Sequence, residues 1–188
     1  MIYTCDRDFK FSNTAVSVGK FDGLHIGHRE LIKHLLAYKK KGLKTAVLRL
    51  DFVDADSKAG TDRSMTADTP LLRSEDERKR ILEECGIDIY IRYPFSARDF
   101  CMSAQDFSKR ILAERLGAKA VVIGDDFRFG HGREGTPKLL AAMGEELGFS
   151  VEVVERVSFE GVPVSSSYIR ECLIKGENEK AGKMLDKI

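Results

Sequence analysis

Hydrophobic runs rich in β-branched residues alternate along the chain with amphipathic segments whose apolar positions recur at helical spacing. The runs TAVSVG, KTAVLRL, IDIYIRY, AKAVVIG and FSVEVVERV predict five strands, and VPVS predicts a further short one. The four longer segments between these strands predict helices, because each ends at a glycine and three of them begin at a capping serine or threonine. Two shorter helical pieces follow near the C-terminus. The predicted helices cover residues 28–42, 74–86, 103–117, 136–148, 169–174 and 179–185.

This alternation of strand and helix predicts the fold class. It is typical of an α/β fold: a Rossmann-like, doubly wound parallel sheet of about five strands with helices on both faces. A chain of 188 residues suits one such domain, so we expect residues 1–188 to form a single unit. Ligands of these sheets bind in the loops at the carboxyl ends of the strands.

Composition narrows the class of partner. The net charge of +1 gives no electrostatic attraction for nucleic acid or an anionic membrane, and no apolar run is long enough to span a bilayer. We therefore expect neither a nucleic acid partner nor a membrane. The four cysteines form no CxxC pair, which is typical of reduced thiols and favours a cytoplasmic location. Nothing in the composition indicates an oligomeric state.

The segment SVGKFDGLHIGHRELI, residues 17–32, concentrates the candidate chemistry. It follows the first predicted strand and holds two of the four histidines, spaced as HxGH. Gly27 allows close approach of the backbone to a ligand, and His28 falls in the first helical turn, where free N–H groups favour an anion. His25 lies three residues earlier and can reach the same point. The pattern predicts a phosphate site.

Other kinds of ligand site fit this segment less well. It lacks the GK[ST] of a Walker A loop and the GxGxxG of a dinucleotide fold. A metal site would need a third protein ligand, and no cysteine or carboxylate has the matching spacing, so no protein metal ligand is predicted.

Residues 51–70 are polar and show neither helical nor strand periodicity. A loop of that length at the ligand end of a sheet is predicted to act as a lid.

Three segments, in order, resemble known motifs. GKFDGLHIGH (residues 19–28), VVIGDDFRFGHGREG (121–135) and VSSSYIRECLIKGENEKAGKMLD (164–186) are similar to those of the prokaryotic FAD synthetase family, within the HxGH nucleotidyltransferase superfamily. The resemblance implies FMN adenylyltransferase activity, in which FMN and ATP give FAD and pyrophosphate with Mg²⁺. The usual member continues into a riboflavin kinase domain, which we expect to be absent from this chain.

The resemblance also implies roles for individual residues. His25 and His28 would be catalytic and donate hydrogen bonds to the α-phosphate and the bridging oxygen of ATP. Asp126, Phe127 and Phe129 would bind FMN, through hydroxyl contacts and ring stacking. Mg²⁺ would bridge phosphates and keep most of its waters. The expected ATP-binding residues are Gly19, Lys20, Phe21, Gly27, Ser166, Ser167 and Arg170.

Two other functions stay open on the sequence alone. One is another HxGH nucleotidyltransferase that uses a different phosphorylated acceptor. The other is a non-catalytic homologue that binds a nucleotide without turnover. ATP and FMN are the expected small-molecule partners under the leading interpretation.

Overall fold

The computed structural model describes residues 1–52, 71–96 and 99–185, and its centre is a six-stranded parallel sheet. The strands are β1 (Ile2–Thr4), β2 (Thr14–Gly19), β3 (Lys44–Phe52), β4 (Ile89–Phe95), β5 (Ala118–Gly124) and β6 (Ser150–Val154). Their order across the sheet is β1-β4-β3-β2-β5-β6. The predicted parallel α/β sheet is therefore confirmed.

One edge strand was not predicted. The three residues of β1 are too few to show an alternating pattern, and β1 forms only by pairing with β4, where Ile2 lies opposite Ile89. This strand raises the count from about five to six. A separate antiparallel ribbon of β7 (Ser158–Phe159) and β8 (Val162–Pro163) follows the sheet.

The helices agree with the predicted segments within a few residues at their ends. The α-helix in the first segment ends at Ala37, and a 3₁₀ turn, Tyr38–Lys41, completes the segment predicted to reach residue 42. The penultimate helix begins at Ser166 rather than at residue 169. The predicted helix at 103–117 begins as a short α-turn and continues as a π-helix, Phe107–Arg115. The helices are α1 (Ile26–Ala37), α2 (Glu75–Glu84), α3 (Ala104–Asp106, leading into the π-helix), α4 (Pro137–Leu147), α5 (Ser166–Ile174) and α6 (Asn178–Leu185).

Helices cover both faces of the sheet because successive strand residues point to opposite sides. In β2, Val16 packs in one buried cluster with the π-helix and α4, while Ala15 packs in another with α1 and α2. The doubly wound arrangement is thus confirmed. A third, smaller cluster, centred on Ile169 and Met184, joins α5 to α6.

The first two residues of the segment predicted as a loop, residues 51–70, belong to a strand. Asp51 and Phe52 belong to β3 and pair with β4, so the strand runs two residues beyond the predicted end of strand two. Residues 53–70 lie outside the described part of the chain, and the lid prediction falls there. Within the described residues, no helix is long and apolar enough to cross a membrane.

Two helical glycines give a matched test of the packing between α4 and β6. A Cβ at Gly144 of α4 would lie 2.5 Å from the carbonyl oxygen of Phe149, whereas a Cβ at Gly182 of α6 would meet nothing within 4 Å. We expect Gly144→Ala to lower the free energy of unfolding by about 1–3 kcal/mol, because the backbone at Phe149 must shift. Gly182→Ala should raise it by about 0.5–1 kcal/mol through helix propensity. Urea denaturation measures both, and equal stabilisation by the two variants would contradict the packing described.

Candidate functional site

The loop between β2 and α1 has an unusual backbone. Phe21 and Leu24 have φ angles of 46° and 43°, in the left-handed region that residues with a side chain rarely adopt. Both side chains are fully buried in the cluster under α1 and α2. Burial of two large apolar side chains offsets a conformational cost of about 1–2 kcal/mol at each residue.

This loop delivers two histidines to one point. His25 is the N-cap of α1 but makes no capping hydrogen bond with its side chain, and His28 lies in the first turn of the helix. The two imidazole rings stack with their centroids 3.8 Å apart, and the Phe21 ring packs 5.0 Å from that of His28. Gly27 permits this arrangement, because a Cβ there would stand 3.2 Å from His25 Nδ1.

Burial leaves both imidazoles neutral at pH 7. Loss of hydration lowers the pKa of His25 to about 4. The pKa of His28 is also well below its ordinary value, first through burial and then through repulsion from His25. The Nδ1 atoms of both rings are buried and have no hydrogen-bond partner among the described residues. Buried polar atoms of this kind are costly, so the pair is poised to gain from an anionic ligand.

A second helix begins beside the histidines. Ser165 is the N-cap of α5, and its hydroxyl accepts a hydrogen bond from the Tyr168 N–H at 3.1 Å. Ser166 and Ser167 are therefore the first two helical residues, and the capping role belongs to Ser165. Neither α1 nor α5 has an acidic residue in its first turn, so the positive end of each helix dipole is not neutralised from within the helix.

The two helix starts border a cleft of about 210 Å³. Five residues of the predicted site line it: His25, Gly27, His28, Asp126 and Ser166. The cleft also has lining residues that sequence reasoning missed, namely Leu31, Gly124, Val154, Glu155, Arg156, Val157, Val164 and Ser165.

Arg156 is the one arginine or lysine among these lining residues. Its Nε lies 2.9 Å from Asp125 Oδ1, an ion pair that orients the guanidinium beside the cleft. The signal that could have found it is the rule that ligands bind past the ends of parallel strands. The sequence analysis missed Arg156 because it predicted a strand over residues 149–157. In the structure β6 ends at Val154, and residues 155–157 already belong to the loop.

Two predicted ATP-binding residues serve the loop in other ways. Arg170 pairs with the buried carboxylate of Asp22, which also lies 3.3 Å from Nη1 of Arg78. Phe21 packs beneath His28 rather than lining the cleft. Their contacts with ATP stay predictions, as do those of Gly19, Lys20 and Ser167, which do not line the cleft either.

The two aromatic residues predicted to bind FMN stack on each other. Phe127 and Phe129 have ring centroids 5.4 Å apart and are tilted by only 18°. Phe129 is 6% exposed and packs against Phe107 of the π-helix, whereas Phe127 is half-buried at the edge of the same cluster. Phe127 is therefore the ring of the two that is more accessible to a ligand.

Comparison with curated proteins gives a consistent family. A family model described as FAD synthetase matches residues 9–168. The bifunctional riboflavin kinase/FMN adenylyltransferase of Buchnera aphidicola subsp. Schizaphis graminum is 33% identical over 181 residues, covering 93% of this chain and 55% of that protein. The Escherichia coli (strain K12) protein of the same name is 35% identical over 159 residues, covering 84% and 49%. The chain thus spans about half the length of the curated relatives it matches.

Solved structures share the fold. A crystal structure from Streptococcus pneumoniae, described as a macrolide-efflux protein, superposes with a TM-score of 0.79 at 26% identity and covers 98% of this chain and 60% of that one. A pantoate–β-alanine ligase from Francisella tularensis superposes with a TM-score of 0.55 at 14% identity, covering 100% and 80%. The second likeness concerns the fold alone.

The histidine pair gives a prediction about pH. Because the folded pKa of His25, about 4, lies below the ordinary value of about 6.5, the unfolded chain binds more protons between these pH values. We expect stability to rise with pH across that window and to be lost as pH falls through it. An NMR titration should place His25 near pH 4, and a non-hydrolysable ATP analogue should raise the pKa of both rings. Titration of His25 and His28 themselves near pH 6.5 in the free protein would contradict the burial described.

Proposed function

The chain belongs to the FAD synthetase family, whose model matches residues 9–168, and on that premise we propose that it transfers AMP from ATP to FMN to form FAD and pyrophosphate. The observation that carries the proposal is the convergence of two neutral, stacked imidazoles and two helix N-termini on one cleft. Such a site suits a polyphosphate, because N–H groups and helix dipoles both favour negative charge.

The reaction is a displacement at phosphorus. An oxygen of the FMN phosphate bonds to the α-phosphorus of ATP, and the bond from that phosphorus to the oxygen bridging the β-phosphate breaks. Pyrophosphate leaves with the bonding electrons. Catalysis of such a step depends on positioning and on stabilising the charge that develops on the phosphate oxygens.

We propose that the histidines stabilise the charge that develops on the phosphate oxygens. Each neutral imidazole carries one N–H donor, which His25 and His28 would direct to the α-phosphate and the bridging oxygen. Because the rings are desolvated, a hydrogen bond there is stronger than it would be in water. The positive end of α1 adds to the same effect.

The start of α5 is proposed to hold the leaving group. The hydroxyls of Ser166 and Ser167, with the free N–H groups of the first turn, suit the β- and γ-phosphates. Arg156, which also lines the cleft, adds a charged donor. Arg170 supports this region through its ion pair with Asp22 and is kept as a candidate phosphate contact.

Magnesium fits this site as an ion held chiefly by substrate. The described residues contain no group of three or more side chains able to hold a metal, but the carboxylates of Asp126 and Glu155 border the cleft. Mg²⁺ typically binds through one or two carboxylates, phosphate oxygens and waters. When bound, it would neutralise charge on the ATP phosphates. Asp126 is alternatively suited to the hydroxyls of FMN, and the ring of Phe127 to its flavin.

The activity is tested with purified protein, Mg²⁺, ATP and FMN, following FAD and pyrophosphate together. We expect both products in equal amounts, and FMN should outperform a panel of other phosphomonoesters. Pyrophosphate from another acceptor but not from FMN would support a different nucleotidyltransferase. ATP binding without pyrophosphate from any acceptor would support a non-catalytic homologue.

The role of His28 is tested by substitution. His28→Ala should lower kcat by about 10²–10³-fold, the scale of losing one preorganised donor. His131→Ala is the matched control, because His131 is exposed and does not line the cleft. Thermal melts of both variants establish that they are folded at the assay temperature. Full activity in folded His28→Ala would overturn its catalytic role.

A further inference from the structure

Arginine side chains hold the histidine loop by its backbone. Four carbonyl oxygens of the loop each accept a hydrogen bond from a different guanidinium. The pairs are Lys20 O with Arg49 Nε at 3.1 Å, Asp22 O with Arg78 Nη1 at 3.3 Å, Gly23 O with Arg73 Nε at 2.8 Å, and Leu24 O with Arg29 Nε at 3.3 Å. We call Arg29, Arg49, Arg73 and Arg78 the arginine cradle.

The cradle supplies hydrogen-bond donors to buried backbone carbonyls. The loop carbonyls belong to neither a helix nor the sheet, yet residues 21–25 are buried and their polar groups need partners. A guanidinium has five donors in a fixed plane, so one arginine bridges the loop and a second element. Arg49 comes from β3, Arg78 from α2 and Arg29 from α1, and Arg73 precedes α2.

The charges of two cradle arginines, Arg49 and Arg78, are matched by carboxylates. Glu75 Oε2 lies 2.9 Å from Arg49 Nη1 and 3.0 Å from Arg78 Nη2, and Asp51 Oδ1 lies 2.8 Å from Arg49 Nη2. Arg49 and Arg78 are only 3% and 1% exposed. Buried ion pairs are an expensive way to gain stability, since apolar side chains of equal volume often do as well. Their concentration around one loop therefore points to a positional role.

The cradle extends to the C-terminal end of α6. The carbonyl of Leu185, the last residue of that helix, accepts from Arg73 Nη2 and from Arg29 Nη2, the latter at 3.2 Å. The carbonyl end of a helix carries partial negative charge, which favours two cations there. Arg73 thus joins Gly23, two residues before His25, directly to the end of α6.

From these contacts we propose that Arg73 is a positioning residue, which fixes the histidine loop to α6 and so keeps His25 and His28 in register without touching the reacting atoms. The left-handed backbone at Phe21 and Leu24 persists only where surrounding contacts over-determine it. Releasing the Gly23 carbonyl removes one of those contacts. The effect on turnover rests on the proposed function, whereas the effect on the histidines does not.

The test compares Arg73→Gln and Arg73→Lys with Arg80→Gln. Arg80 lies on α2, is exposed and pairs only with Glu84 at 3.4 Å among the contacts described, so it is a matched control. We expect Arg73→Gln to lower kcat about 10- to 100-fold, the scale of a small misplacement of catalytic groups, with a smaller change in KM for ATP. Arg73→Lys should recover activity only in part, because one ammonium cannot bridge Gly23 and Leu185 as a planar fork does.

NMR of the histidine rings supplies a readout independent of turnover. In Arg73→Gln, the signals of His25 and His28 should shift and their pKa values should rise toward the ordinary range as the loop loosens, while Arg80→Gln leaves both unchanged. Unaltered histidine signals and kcat in a folded Arg73 variant would overturn the proposal. If Arg73→Gln does not fold, Arg73→Lys decides by the same measurements. If the unaltered protein makes no FAD, the proposed function fails and the NMR comparison still judges Arg73.

Discussion

The active region depends on one short loop that holds a strained backbone in place. Phe21 and Leu24 take left-handed φ values although neither is glycine, and burial of their side chains together with the arginine cradle fixes that geometry. The consequence is positional. With the loop fixed, His25 is the N-cap of α1 but its side chain makes no capping hydrogen bond, and its ring instead stacks on that of His28, where both line the cleft.

Electrostatics then explains why the cleft suits a polyanion. Fixed positive charge is concentrated behind the loop, where carboxylates balance it, while the cleft itself offers neutral imidazoles, two helix N-termini and Arg156. Dipoles and N–H donors that are already oriented need no rearrangement when charge develops on phosphate. A neutral imidazole also supplies an N–H donor to phosphate without the cost of burying a protonated ring in the free protein.

Sequence patterns predicted those features of the fold and the site that depend on neighbouring residues in the chain. Alternating periodicity predicted the parallel sheet, and HxGH after a strand predicted a loop whose histidines meet in the structure. The structure adds features that arise only from tertiary contact. The three residues of β1 have no pattern of their own, and the cradle joins residues as distant as Gly23 and Arg73, whose spacing carries no signal. Arg156 was hidden because an apolar pattern continued past the last paired residue of β6.

The most direct test of the account is where the phosphates of a bound nucleotide lie. A crystal structure with α,β-methylene-ATP, which cannot be cleaved at the transferred bond, would locate them. The account predicts the α-phosphate within hydrogen-bond distance of His25 and His28, and the β- and γ-phosphates at the first turn of α5. Phosphates bound elsewhere, for example in the groove beside Lys180 and Lys183, would contradict it.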